Sequence, residues 1–166
     1  MKYLRRLVWF IAAKLLALLL ILGILSTTFY FAMNAMNIYI IIKDGMAARA
    51  KVIMMDESSD TLNNYFFSSW IARDELLQSA FNDTDPYQSC TVTGFDHRIT
   101  LKWVWCWPWE NTARATVIER IPAIDGKNVS EGSVPAWQNG QYAIILYRDG
   151  GNWKIRNITL LERLSE

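Results

Sequence analysis

The longest uninterrupted pattern in the chain is an apolar segment near its start. Residues 15–42 are 28 consecutive positions without a formal charge, and most of them are Leu, Ile, Ala, Phe or Met. A helix of about 20 apolar residues crosses the hydrocarbon core of a bilayer. The pattern therefore predicts one transmembrane helix, with residues 7 or 8 to about 33 in the bilayer and the helix projecting beyond it as a stalk. The apolar residues from 36 to 42 either complete a tilted span or pack against the domain or a partner helix.

Charge around this segment predicts its orientation. Four basic residues precede it without any acidic neighbour: Lys2, Arg5, Arg6 and Lys14. Positive flanks stay on the cytoplasmic side. Residues 1–42 are therefore expected to form a cytoplasmic N-terminus, a cell-membrane anchor and a stalk, with residues 43–166 as one extracytoplasmic domain. A cleaved signal peptide fits less well, because its apolar region spans about 7–15 residues and Met33 stands where cleavage needs a small residue.

Helical spacing opens the outer domain. Residues 43–55 are rich in Ala, Met, Lys and Arg, which favour helices. A second helix is predicted from residue 60 to about 80, with the adjacent acids Asp74 and Glu75 on a solvated face. Residues 82–86 have the composition of a loop. The second helix rests on apolar residues near one face, namely Leu62, Phe66, Trp70, Leu77 and Phe81.

The pattern then changes to a period of two, which predicts β-strands. Three later strands are expected over residues 113–124, 141–147 and 153–161, with a long polar loop over 125–139. Residues 148–152 form a hairpin turn, since Gly supplies the positive φ angles that tight hairpins need. Helices followed by about four antiparallel strands make the fold class α+β. The apolar parity of the first strand, expected to face the core, comprises Phe95, Ile99, Leu101, Trp103, Trp105, Trp107 and Trp109.

Charge and ligand chemistry exclude several functions for the outer domain. From residue 43 onward there are 13 Lys and Arg against 16 Asp and Glu, a net charge of −3. Nucleic-acid-binding surfaces are basic, so no nucleic acid partner is expected. The single histidine, His97, lacks metal-ligand spacing with the cysteines, and zinc needs three or four such ligands. No metal or cofactor is expected, and His97 is interpreted as a packed, hydrogen-bonded residue rather than a general base.

The two cysteines, Cys90 and Cys106, leave a disulfide open. An oxidising compartment permits the bond. If residues 90–106 form one extended strand, the sulfur atoms lie about 50 Å apart at ~3.3 Å per residue, and no bond can form. If the segment folds as a hairpin, the bond is feasible. Two unpaired thiols are the favoured interpretation.

Four tryptophans alternate in the sequence Trp103-Val-Trp-Cys-Trp-Pro-Trp109. The favoured interpretation is a buried face and its rim, with indole N–H groups bonded at the edge. The second is a protein–protein surface formed by Trp105, Trp107 and Trp109, since Trp is enriched at interface hot spots. Contact with the membrane interface is the third, and carbohydrate stacking is the fourth. Trp109 is expected to be the most exposed of the four.

The last hairpin carries a resemblance to a known family. The sequence Asp149-Gly-Gly-Asn-Trp-Lys-Ile155 between apolar strands, after two helices and long strands, resembles the NTF2-like (cystatin-like) superfamily. The membrane-anchored arrangement is similar to domains of the VirB8 and TcpC type, which are assembly proteins of bacterial conjugation machines. The resemblance covers roughly residues 44–164. It implies helices on a curved antiparallel sheet, with Trp153 filling the concave side, and it implies no catalysis, because Glu119 is the one acid at a candidate inward position.

Together these features predict a non-catalytic role. The chain is expected to be a bacterial membrane-anchored scaffold or adaptor of an envelope assembly, such as conjugation-like secretion. Its partners would be the lipid bilayer, through the N-terminal helix, and other envelope proteins or copies of itself. The alternative is a module that binds or senses a small apolar ligand in a cone-shaped pocket of the sheet.

Overall fold

A computed structural model of the chain describes residues 2–128 and 133–164. Helical segments come first: α1 (Lys2–Met55), a 3₁₀ helix (Ser59–Asn64), α2 (Ser68–Ile71) and α3 (Glu75–Phe81). Strands follow: β1 (Cys90–Phe95), β2 (Arg98–Cys106), β3 (Thr112–Arg120), β4 (Ile124–Asn128), β5 (Gly140–Asp149) and β6 (Asn152–Arg163). The coarse class is α+β, as predicted, with a long apolar helix at the start and antiparallel strands after it.

Helix α1 is continuous over 54 residues. It therefore joins the predicted span, the stalk and the helix expected over residues 43–55 into one element. Every described side chain before Phe31 is exposed, and this half is long and apolar enough to cross a membrane. The other half is buried along one stripe at helical spacing: Ile38, Ile42, Met46 and Ala50 are at most 1% exposed.

The single helix predicted over residues 60–80 is wrong. The chain forms three short helical segments instead, because the backbone leaves the helix to pair with β6. The Phe67 amide donates to the Ile155 carbonyl at 3.0 Å, and the Ile155 amide donates to the Tyr65 carbonyl at 2.7 Å. The apolar residues chosen for the predicted helix face are nonetheless buried at four positions, Leu62, Phe66, Trp70 and Leu77, whereas Phe81 is exposed.

The main sheet has the strand order β2-β3-β5-β6, with every neighbouring pair antiparallel. β1 pairs with β4 in a second, two-stranded sheet. Only two residues separate β1 from β2, so β1–β2 and β3–β4 form one long bent ribbon over residues 90–128. The predicted loop over 125–139 is wrong at its start, which is strand β4. Residues 129–132 of that loop lie outside the described residues.

The last hairpin has the predicted turn. Asp149 pairs with Asn152 across it, and Gly150 and Gly151 have φ angles of 56° and 93°. These positive angles are ones that residues with a Cβ rarely adopt. Trp153, directly after the turn, is 5% exposed and belongs to the core. The buried stripe of α1 packs with the inward residues of the sheet in one apolar cluster.

Candidate functional site

The four alternating tryptophans lie on the surface of the protein. The exposed fractions are 50% for Trp103, 41% for Trp105, 40% for Trp107 and 74% for Trp109. The favoured sequence interpretation, a buried face with its rim, is therefore wrong for this segment. The expectation that Trp109 is the most exposed of the four agrees with these values.

A β-bulge in β2 explains the exposure. Between Leu101 and Trp103 the pairing with β3 shifts, and Lys102 is the extra residue. One extra residue moves every later side chain to the opposite face of the strand. The inward positions are consequently Ile99 and Leu101 before the bulge, and Val104 and Cys106 after it. Regular alternation in the sequence continues past this point and gives no sign of the bulge.

The four rings form a continuous surface, called the aromatic row below. Trp103 and Trp105 stack with centroids 6.4 Å apart, and Trp105 meets Trp107 edge to face at 5.2 Å. Trp107 and Trp109 stack at 4.9 Å. The Glu110 amide closes the turn after β2 by donating to the Trp107 carbonyl at 3.2 Å. This turn, residues 107–111, is called the tip below.

The aromatic row and the tip lie beside α1 at the end of its exposed apolar half. The Tyr30 hydroxyl donates to the Pro108 carbonyl at 3.4 Å. The Phe31 ring meets the Trp105 ring edge to face at 6.0 Å. Further along the helix, the Tyr39 hydroxyl donates to the Ile99 carbonyl at 3.5 Å. Strand β2 therefore runs back along α1 towards the N-terminus of the helix.

Charged residues border the aromatic row. Lys102 is the exposed bulge residue, and the exposed Arg114 in β3 pairs directly with Trp105. The exposed Glu110 lies in the tip itself. The surface thus combines four indoles with two cations and one acid.

His97 and Glu119 form a buried pair. The imidazole Nε2 lies 3.0 Å from Glu119 Oε1, and the two side chains are 7% and 0% exposed. His97 is therefore packed and hydrogen-bonded, as predicted, and Glu119 does point inward. Glu119 Oε2 has no hydrogen-bond partner among the described residues.

A second buried pair was missed from the sequence. Arg49 donates to both carboxylate oxygens of Asp74, at 2.6 and 3.1 Å, and the side chains are 12% and 6% exposed. The expectation of a solvated helix face at Asp74 is wrong, because Asp74 caps α3 by accepting from the amides of Leu76 and Leu77. Burial acts to lower the pKa of Arg49, but the hydrogen bonds and charge of Asp74 outweigh it and raise that pKa.

The inward face of the sheet packs in the apolar core, together with the buried stripe of α1. Ile42 and Met46 of α1 and Trp153 of β6 belong to this core. Several open grooves lie at the surface, and one of about 400 Å³ is bordered by the Arg49–Asp74 pair and Tyr142. Burial is the main cause that raises the pKa of Tyr142 to about 12.

The cysteines are free thiols. Cys90 pairs with Asn128 at one end of the β1–β4 sheet, whereas Cys106 pairs with Ala113 next to the tip. The two residues therefore lie at opposite ends of the long ribbon. Burial raises the pKa of the Cys106 thiol, and the charge of Arg148 offsets part of this increase.

Comparisons with known proteins add no family to this description. No family model, no curated protein and no solved structure matches the chain. Over the part of the chain that the structure describes, no three His, Cys, Asp or Glu side chains come together as metal ligands. The geometry of the chain itself, above all the continuity of α1 from its exposed apolar half into the core, is therefore the basis for a functional assignment.

Proposed function

We propose that the chain is a non-catalytic, membrane-anchored scaffold or adaptor of a bacterial envelope assembly, such as conjugation-like secretion, with an NTF2-like outer domain. One observation carries the proposal: α1 passes without a break from an exposed apolar half into the core of the domain. Because one unbroken helix joins the membrane anchor to the domain, the anchor fixes the distance of the domain from the membrane and its orientation relative to it. The basic residues before the apolar segment favour a cytoplasmic N-terminus.

The filled interior supports a scaffold over a ligand-binding module. A pocket for a small apolar ligand needs a concave, enclosed cavity. Here the side chains of α1 pack against the inward residues of the sheet in one apolar cluster, with Ile38 and Ile42 fully buried. The groove at Arg49, Asp74 and Tyr142 is open and lined by charged groups, which suits a small apolar ligand poorly.

The outer edge of β6 is the surface that we assign to a protein partner. β6 is the last strand of the main sheet. Residues 65–67 pair with its outer edge at Ile155, so the assignment concerns the edge from there to the C-terminal end of the strand, where an open strand edge can accept a strand from another chain. Trp153 lines one surface groove together with Asn37 and Ile40 of α1, whereas Leu160 lines another together with Met46 and Arg49. The C-terminal half of β6, with Leu161 54% exposed, consequently lies beside a later part of α1, further from its apolar half.

A photocrosslinking amino acid at position 161 tests this assignment in native membranes. Lys127, exposed in the other sheet, is the matched control position. We expect a crosslink to one defined envelope protein or to a second copy of the chain from position 161 and none from 127, and Leu161→Asp should abolish co-purification of that partner. Recovery of monomer alone from both positions, while a known envelope complex in the same membranes stays intact, would overturn the proposal.

A further inference from the structure

We infer that the tip inserts Trp107 and Trp109 into the outer headgroup region of the bilayer that holds α1. The domain would then contact the membrane twice, through the anchor and through the tip. This inference rests on the proposed anchoring of α1. It assigns lipid, rather than a protein, to the surface formed by Trp105, Trp107 and Trp109.

The contacts with α1 fix where the tip lies. The Tyr30 hydroxyl donates a hydrogen bond to the Pro108 carbonyl at 3.4 Å, and the Phe31 ring packs against the Trp105 ring. Arg148, at the end of β5, donates to the Asn34 side chain at 3.0 Å. The tip is therefore attached to α1 at Tyr30, whereas the neighbouring β5–β6 turn meets the helix about one turn further from its apolar half.

The length of α1 sets the depth of this point. A span of about 20 residues that begins at Leu7 ends near residue 27. This is shorter than the span to about residue 33 expected from the apolar pattern, because contacts of α1 with the outer domain already begin at Tyr30 and Phe31. Tyr30 is three residues further, which is about 5 Å at 1.5 Å per residue. Every described side chain up to this residue is exposed, and the first buried one, Asn34, follows one turn later. The tip thus lies at the level where hydrocarbon gives way to headgroups.

The side chains of the tip suit this level of a bilayer. Indole rings concentrate at membrane interfaces, because they combine a large apolar ring with one N–H donor. Trp109 is 74% exposed and stacks on Trp107. Lys102 and Arg114 border the same row and match anionic headgroups, while Glu110 is the one acid within the tip. A surface that lies beside the anchor at headgroup depth meets lipid before it meets any other partner.

Quenching by brominated lipids tests the inference on the full-length protein. The protein is placed in vesicles of phosphatidylcholine and phosphatidylglycerol whose acyl chains carry bromine either near the headgroup or near the chain end. The emission of Trp109 is the difference between the native protein and Trp109→Phe. Trp103→Phe, at the other end of the row, is the matched control, and Trp9→Phe reports on the anchor. Circular dichroism checks that each variant is folded, and Trp107→Phe provides a second probe of the tip.

We expect the Trp109 emission to be lost mainly with bromine near the headgroup, and the Trp103 emission to be quenched less. If Trp9 is quenched while Trp109 and Trp107 are not, the tip lies in water and is available to a protein, which overturns the inference but leaves the anchor intact. If the protein does not float with the vesicles and Trp9 is not quenched, the anchor itself fails, and the inference falls with it.

Discussion

At the residue scale, the buried Arg49–Asp74 pair is expected to affect the free energy of unfolding strongly when either partner is replaced. Asp74 serves two roles, as the acceptor of two hydrogen bonds from Arg49 and as the N-cap of α3. Removing one partner of a buried pair leaves an uncompensated charge, which costs about 3–5 kcal/mol. Removing an N-cap costs about 1 kcal/mol. The two contributions can be separated, because Asn can still cap a helix and cannot carry the charge.

Asp74→Asn is therefore expected to lower the free energy of unfolding by about 3 kcal/mol or more, and Asp74→Ala by about 1 kcal/mol beyond that. Denaturant unfolding of the protein in detergent, followed by tryptophan fluorescence, measures both. Glu57→Gln is the control, because the Lys51–Glu57 pair is exposed and should contribute at most about 1 kcal/mol. Equal losses in Glu57→Gln and Asp74→Asn would contradict a buried pair.

The two thiols are expected to react at different rates. Cys106 is 2% exposed, and burial raises its pKa, so its thiolate fraction is small at pH values below its ordinary pKa. In the native protein near neutral pH, a thiol reagent should modify the half-buried Cys90 first. Raising the pH should accelerate Cys106 as its thiolate forms. Peptide mass spectrometry follows each site, and both should react alike in denaturant; faster native labelling of Cys106 would contradict its place in the core.

At the scale of the elements, Gly126 of β4 lies close against the backbone of the paired strand β1. A Cβ at Gly126 would meet the Thr91 carbonyl oxygen at 2.7 Å and the Val92 Cα at 3.0 Å. These are backbone atoms in the paired strand and cannot rotate away. A Cβ at Gly94 would meet nothing nearer than Asp125 Oδ2 at 3.9 Å. The two glycines therefore provide a matched pair within one sheet.

Gly126→Ala should open the pairing of β1 with β4, whereas Gly94→Ala should leave it unchanged. Amide hydrogen exchange over residues 90–95 and 124–128 measures the difference. We expect faster exchange in both strands of Gly126→Ala, because strand separation is the one way to relieve the contact. Unchanged exchange in Gly126→Ala would show that the strands lie further apart than the structure has them.

The sequence predicts elements where one period continues and fails where tertiary contacts interrupt it. The apolar run that ends at Ile42 and the Gly150–Gly151 turn follow from local patterns, and both are present. The helix predicted over residues 60–80 fails, because pairing of Phe67 with β6 is not visible in helical spacing. Asp74 followed by Glu-Leu-Leu-Gln was an available helix-start signal. The bulge at Lys102 has no comparable signal in the sequence. The sequence could therefore give an exposed tryptophan surface only as one of several interpretations.

At the scale of the whole molecule, α1 is both the apolar element that can span a membrane and a part of the core. Ile38 and Ile42 precede residue 43, where the sequence pattern placed the start of the outer domain, yet both are fully buried. Residues 34–55 are consequently part of the folded unit. The boundary between the exposed and the buried half of the helix lies near Phe31.

A fragment of residues 43–166 is therefore expected to fail as a cooperative unit, whereas residues 31–166 should fold. Truncating a buried Ile to Ala costs about 2–5 kcal/mol, and losing two such side chains approaches the 5–15 kcal/mol that stabilises a typical domain. Thermal unfolding followed by near-ultraviolet circular dichroism compares the fragments. Within residues 31–166, Ile38→Ala should lower the melting temperature markedly, while Ile40→Ala, 46% exposed in the same helix, should change it little. Cooperative melting of 43–166 at the temperature of 31–166 would mean that residues 31–42 of α1 contribute little to the core, and would remove the structural basis for treating anchor and domain as one piece.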